Sequence, residues 1–316
     1  MRKITAAMIG ALSGTAVMSV LIAAGIYQAV FYMSDERKSR HWQLPEGRQF
    51  KRYHKAIRKL TAEAEAVPFE PVRITSRDGL ELFGRYYHIA DGAPLIMLFH
   101  GYGGYVLRDL AGVHKIAREN GINILAADER AGGRSEGHTT TFGVRERYDV
   151  LDWLAWADRR FGADTPVILA GNSMGAATVC MAAGLELPAN VKGVIADCPY
   201  TSPKDFILRF AKDRKIPAGL TWSLTRLGML LLGRTDLTRA SAAEAARRAK
   251  VPLLVLHGED DRLVPGDMGR EIFGAWAAKK RIETFPGAAH SMSYYADPER
   301  YARAVLKLVN TVTEKS

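Results

Sequence analysis

The sequence predicts an α/β fold: a mostly parallel, doubly wound sheet with an antiparallel start and a helical insertion, preceded by an N-terminal transmembrane helix. Three observations carry this. Short apolar runs recur along the chain with helical patterns between them, which is how fully buried strands of βαβ units read. The earliest runs instead flank an Asp-Gly turn, the signature of a hairpin. Finally, Ile4–Met33 is thirty residues without a charge, longer than the roughly 20 needed to cross a bilayer core or the 7–15 of a signal-peptide apolar region.

Taken in order, Arg2 and Lys3 precede the uncharged run, Gly10, Gly14 and Gly25 sit among alanines, and Tyr27, Phe31 and Tyr32 fall where an interfacial aromatic belt would lie. The reading is an uncleaved anchor over 1–36, with Ala23-Ala24-Gly25 offering the alternative of a cleaved signal. Arg37, Lys38, Arg40, Arg48, Lys51 and Arg52 come directly after the span, and charge counting alone keeps the carboxyl-terminal part in the cytoplasm. Within the connecting segment 37–68, Phe50, Tyr53, Ile57 and Leu60 recur at three- and four-residue spacing, predicting one amphipathic helix from Arg48 to Ala66 that Pro68 and Pro71 end.

The remaining 69–316 form the α/β domain. Val72–Ser76 and Leu80–Tyr87 pair around Arg77-Asp78-Gly79. Leu95–Phe99, Ile122–Ala127, Val167–Ala170, Val191–Ala196, Leu253–Leu256 and Ile282–Phe285 are the buried strands, with helices such as Val144–Phe161 between them and a last one from about Pro298 to Val312. From about 202 to 239 no strand pattern occurs. Phe206, Phe210, Leu220, Trp222, Leu227 and Met229 mark a helical insertion there, a lid whose apolar stripe either lines a pocket or packs it onto the body.

Composition narrows the function classes. With 47% hydrophobic and 25% charged residues over 316 positions, the chain folds around a sizeable core. Its net charge of +10 is spread without a basic run or an aromatic-basic motif, so no nucleic-acid partner is predicted and the surplus suits anionic lipid. Cys180 and Cys198 lie in apolar stretches and read as buried thiols, with no metal-ligand spacing.

The chemistry centres on Gly171-Asn172-Ser173-Met174-Gly175, between a buried strand and the small-residue stretch Ala176–Gly184. A G-x-S-x-G pentad in that position is a nucleophile elbow, whose glycines allow strand and helix to meet closely. Ser173 is the candidate nucleophile, and a serine hydroxyl needs a histidine base and a carboxylate to orient it. Past Ser173 only His257 and His290 remain. His257 closes a strand and reads as a packed residue, whereas His290, on a turn after the last strand, is the candidate base. The loop His257–Pro265 supplies the acid from Glu259, Asp260 or Asp261, which spacing alone does not separate. For the developing oxyanion, Met174 offers one backbone N–H and the glycine-rich loop after Phe99 a second, through Tyr102.

These residues resemble the α/β-hydrolase superfamily, and more narrowly the bacterial membrane-anchored or secreted serine hydrolases of the dienelactone-hydrolase-like and prolyl-oligopeptidase-like kind. The resemblance runs from about Val72 to Val312 through His100-Gly-Tyr102, Asp128-Glu-Arg-Ala-Gly-Gly-Arg-Ser-Glu-Gly137, the Ser173 pentad, Asp197-Cys-Pro-Tyr-Thr-Ser202, His257-Gly-x-x-Asp261-x-x-Val-Pro265 and Ala289-His290-Ser-x-Ser-Tyr294. It implies an α/β-hydrolase fold, a Ser173–His290–Asp261 triad with Asp261 as the acid, and Tyr102 at the oxyanion position. It also implies cleavage of a carboxylic ester or thioester through an acyl-serine, with no metal or organic cofactor, and a catalytic domain facing outward from the membrane. The substrate is then a small acyl ester, lipid-like chains included. An acyltransferase on the same triad, or a catalytically silent membrane-tethered binding protein, are the alternatives. One departure stands out: Ala131 and Gly132 occupy positions where relatives usually carry Gly and His, which puts the hydrogen bonding of that loop in question.

Overall fold

The computed structural model describes residues 15–39, 43–44 and 46–313. An eight-stranded sheet runs in the order β1-β2-β4-β3-β5-β6-β7-β8. Its strands are β1 Glu70–Thr75, β2 Glu81–Tyr87, β3 Leu95–Phe99, β4 Asn123–Ala127, β5 Val167–Asn172, β6 Val191–Asp197, β7 Leu253–Gly258 and β8 Lys280–Phe285. β1 pairs with β2 and β2 with β4 antiparallel; every later pairing is parallel. All residues of β3, β4, β5 and β7 are buried, because helices cover both faces, and this is why those runs show no alternation. β1, at one edge, does alternate, and β8 at the other begins with exposed Lys280 and Arg281, charges that blunt the open edge.

The helices used below are α1 Asp35–Ser39, α2 Arg48–Lys51, α3 His54–Glu65, α4 Val106–Asp109, α5 Ala111–Glu119, α6 Glu146–Phe161, α7 Met174–Ala183, α8 Pro203–Asp213, α9 Ala218–Leu231, α10 Ala242–Ala246, α11 Gly266–Ala275, α12 Ser293–Ala296 and α13 Pro298–Thr313. On one face of the sheet Trp153, Leu154, Met181 and Ile272 from α6, α7 and α11 fill the core; on the other, Ile57, Val113, Tyr301 and Val309 from α3, α5 and α13 do so. Burying side chains of this size gives about 1.5–3 kcal/mol each, and that gain is what fixes the helices to the sheet.

The N-terminal segment departs from expectation. Among the described residues no helix is long and apolar enough to cross a membrane; residues 4–14 of the uncharged run lie outside them. The rest of that run forms a helix over 15–26, a π turn at Tyr27–Phe31 and a bridge from Tyr32 to Thr139. The three aromatics read as an interfacial belt instead join the domain. Tyr27 hydrogen-bonds the Thr139 hydroxyl at 2.6 Å, Phe31 is fully buried edge-on to Phe142, and Tyr32 stacks on His138. Apolar side chains gain as much from a protein interior as from hydrocarbon, so sequence alone does not separate the two destinations. The helix before them rests on α9, where a Cβ at Gly228 would come within 2.3 Å of the Ala23 carbonyl oxygen.

The single helix expected from Arg48 to Ala66 is two, α2 and α3, interrupted at Arg52 and Tyr53. The break buries Tyr53 against Tyr295 and lets the Arg52 guanidinium donate to the Gly287 carbonyl. In the insertion, α8 starts at a Ser202 cap whose hydroxyl accepts from the Asp205 N–H at 3.0 Å, with Pro203 in the first turn. Phe206 of α8 and Thr225 of α9 face the cavity over Ser173.

Candidate active site

The site forms where β3, β5, β6, β7 and β8 end. Ser173 stands between β5 and α7 with φ 54° and ψ −111°, the sharp strand-to-helix turn an elbow requires. The flanking glycines are obligatory: a Cβ on Gly171 would lie 2.2 Å from the Gly175 carbonyl oxygen, and one on Gly175 would lie 2.1 Å from that of Phe99. The Ser173 N–H donates to the Asp197 carbonyl at 2.8 Å, tying the turn to β6.

The structure brings Ser173, His290 and Asp261 together. His290 Nδ1 lies 2.7 Å from Asp261 Oδ2, and His290 Nε2 lies 2.8 Å from Ser173 Oγ. With the carboxylate accepting from Nδ1–H, Nε2 is left as the acceptor for the serine hydroxyl. The other oxygen, Asp261 Oδ1, accepts the N–H groups of Leu263 and Val264 at 2.9 and 2.8 Å, so the acid is aimed by its own loop. Glu259 is exposed and accepts from the Thr284 hydroxyl, and Asp260 is exposed; neither faces the imidazole. His257 is buried, with Nε2 donating to the Val264 carbonyl at 2.9 Å, and thereby shapes the Asp261 loop.

Burial works against a charged His290, yet the Cys198 sulfur and the Asp261 carboxylate beside it override that effect and hold its pKa well above the usual histidine value. Burial also pushes the Cys198 thiol up, so near neutrality the carboxylate supplies the opposing charge. Behind the imidazole, the Ser291 hydroxyl donates to Asn172 Oδ1 at 2.8 Å, while Ser293 and Tyr301 donate to the two oxygens of Asp197 at 3.1 Å each. Burial raises the Asp197 carboxyl to about 7. Cys198, Asp261 and His290 offer ligand atoms within 4.8 Å of one another, but the direct His290–Asp261 bond occupies the space an ion between those two would need.

Two backbone N–H groups belong to the turns beside Ser173, those of Met174 and Tyr102. Met174 opens α7, so its N–H has no partner within the helix. Tyr102 occupies the turn closed by Gly104 N–H donating to the Gly101 carbonyl at 3.0 Å, and Asp109 Oδ2 fixes that turn by accepting from the Gly101 N–H at 3.1 Å. His100 holds the neighbouring loop: Nδ1 donates to the Gly101 carbonyl and Nε2 accepts from the Glu129 N–H. The departure at Ala131 and Gly132 is thereby explained. A Cβ on Gly132 would sit 2.9 Å from the His100 ring, so that position is kept bare, and Ala131 takes the left-handed backbone itself, at φ 58°.

Over Ser173 opens a cavity of about 630 Å³. Phe142, Phe206 and Thr225 line it together with Ile26, Val30 and Phe31 from the N-terminal segment. The contribution of Ile26, Val30 and Phe31 is not legible in the sequence, because these residues fall inside the run read as a membrane span. Sequence reasoning missed Asn172 as well, although its place inside the pentad marks it as adjacent to the nucleophile.

Residues 94–227 match the model of the alpha/beta hydrolase fold family, and residues 230–297 match that of the serine aminopeptidase S33 family. The chain is 24% identical over 246 residues to the uncharacterized protein YqkD of Bacillus subtilis, covering 77% of this chain and 80% of that protein. It is 26% identical over 206 residues to the lysophosphatidylserine lipase ABHD12 of Rattus norvegicus, covering 62% of this chain and 49% of the relative, about half its length. Among solved structures, the Pyrococcus furiosus esterase Pf2001 superposes with a TM-score of 0.64 at 19% identity, covering 79% of this chain and 92% of that one.

Proposed function

We propose that the chain, which belongs to the α/β-hydrolase superfamily, is a hydrolase that cleaves a carboxylic ester or thioester through an acyl-serine intermediate. The observation that carries this reading is the hydrogen-bonded line from Asp261 through His290 to Ser173, at 2.7 and 2.8 Å. Ser173 Oγ attacks the acyl carbonyl while His290 Nε2 takes its proton, and Asp261 fixes the tautomer and offsets the imidazolium charge. The carbonyl oxygen, now an oxyanion, receives the N–H groups of Met174 and Tyr102. His290 then returns the proton to the leaving alkoxide, and water, activated by the same imidazole, releases the acid.

The substrate we favour carries an apolar acyl chain, since Phe206, Phe142, Ile26 and Val30 present little but hydrocarbon to the cavity. The lipase named among the relatives points the same way. Turnover of p-nitrophenyl esters from acetyl to palmitoyl, with fluorophosphonate labelling lost in Ser173→Ala, tests the reading; labelling that persists in the variant would overturn it.

We further propose the three-part organisation of anchor (1–36), connecting segment (37–68) and α/β domain (69–316) with its lid at about 202–239, the domain being tethered to a membrane by the part of the anchor before Ile26 and facing outward, while the anchor's end packs on the domain. The exposed apolar side chains of Val17, Met18 and Leu21 on the helix over 15–26 support the tether. Carbonate extraction of membranes and protease shaving of intact cells test it: release by carbonate removes the tether, and protection from protease reverses the orientation.

A further inference from the structure

The segment read as the end of an anchor lies against the loop that carries one of the two oxyanion donors. The Tyr102 hydroxyl donates to the Val30 carbonyl at 2.6 Å and accepts from Arg37 Nη2 at 3.0 Å. A phenol hydroxyl has one proton to give, so these two bonds use it fully and in a single sense. Arg37 Nη1 donates to the Tyr32 carbonyl at 2.6 Å, so the guanidinium fork joins the backbone of the strap formed by residues 26–37 to the Tyr102 side chain. The ring of Tyr102 stacks on Phe142, its centroid 5.3 Å away, and Phe142 in turn meets buried Phe31 at 5.2 Å. Gly103, next in the loop, takes φ 56°, a conformation that glycine adopts without a steric penalty and that leaves the loop little stiffness of its own. The strap supplies what the glycines lack.

We propose that Arg37 is a positioning residue for the oxyanion loop, and that residues 26–37 are a working part of the active site. Holding the Tyr102 side chain fixes the direction of its backbone N–H, and the same strap closes the cavity through Ile26, Val30 and Phe31. Signal cleavage after Gly25 would remove Ala23 from its seat on Gly228 and loosen the strap at its origin. The inference rests on the reading of Tyr102 N–H as an oxyanion donor.

The test uses the full chain and four variants: Arg37→Ala, Arg37→Lys, Tyr102→Phe and the Arg37→Ala/Tyr102→Phe pair. With p-nitrophenyl butyrate, Arg37→Ala is expected to lower kcat about 10–100-fold, the size of effect a misplaced catalytic group produces, with KM changed less than about twofold. Tyr102→Phe, which removes a single oxygen, should lose a similar factor, the pair should lose no more than the worse single variant, and Lys should restore part of the loss. An unchanged kcat, a loss confined to KM, or losses that multiply in the pair would overturn the proposal. If the wild-type chain turns over no ester, the functional reading fails. The Arg37–Tyr102 contact is then judged by thermal unfolding, where coupled residues give non-additive Tm shifts and additive shifts overturn it.

Discussion

The two walls of the cavity are built on different principles. The wall that holds Ser173 is made where backbone meets backbone. Gly171 sits against Gly175, Gly175 against Phe99, and a Cβ on Gly258 would lie 2.4 Å from the Ala288 carbonyl oxygen. The side facing it is lined mainly by apolar side chains of the strap and of α8 and α9, such as Ile26, Val30, Phe31 and Phe206. Backbone contact admits one residue type at a position, whereas apolar contact admits many. The first wall therefore has the tolerances of chemistry and the second those of packing.

If that division holds, substitutions should fall into a graded series. Ser173→Ala removes the proposed nucleophile and is expected to lower kcat by about a million-fold, read with fluorophosphonate labelling and ester turnover. Asp261→Asn keeps the shape but lets the imidazole take the wrong tautomer; a fall of about ten-thousand-fold in kcat is expected. Survival of substantial turnover in either would break the comparison at its strongest point. The pH profile sharpens it. The base must be neutral to act, and the folded protein holds the His290 pKa well above the ordinary value near 6.5. Activity should thus fall as pH drops through a pKa above that ordinary value, and kcat/KM against pH places the acid limb. A limb at or below the ordinary value would show that the Asp261 charge is not felt.

Effects in the other wall should be smaller and of another kind. Thr225→Trp narrows the cavity from α9 and should shift the ratio of long- to short-chain ester turnover by roughly tenfold, in keeping with what a few methylenes are worth in an apolar pocket. A change equal for all chain lengths would mean that α9 does not contact the acyl group. Smallest of all, Ser202→Ala removes the hydroxyl that caps α8 and should reduce stability by about 1 kcal/mol in denaturant unfolding, leaving the elbow untouched.

The same division explains what the sequence reveals. The parallel strands are legible because burial on both faces demands unbroken apolar runs, and Ser173 and His290 because the elbow glycines and the turn after the last strand constrain residue type. Spacing narrows the acid to three neighbouring residues; the resemblance chooses among them, and the structure gives the reason, since only Asp261 faces the imidazole while its loop N–H groups aim it. The strap is not legible because Ile26, Val30 and Phe31 satisfy the statistics of a lipid-facing helix and of a pocket wall equally well. Arg37 carries no motif at all: its partners are a carbonyl and a hydroxyl 5 and 65 residues away, and nothing in their identities announces the meeting. The break between α2 and α3 is hidden for a similar reason, because the three- and four-residue spacing continues across Tyr53 while the side chain turns to a different neighbour.

The backbone of Ser173 is held in the left-handed region, φ 54°, where an L-residue carries strain on the order of 1–3 kcal/mol. That energy is spent whether or not substrate is present. A glycine there would relax it, so a Ser173→Gly chain should melt at a higher temperature than the natural one while being inert. Durability and reactivity are thus opposed at a single α-carbon, and selection for heat resistance alone would erode the enzyme from its centre outward.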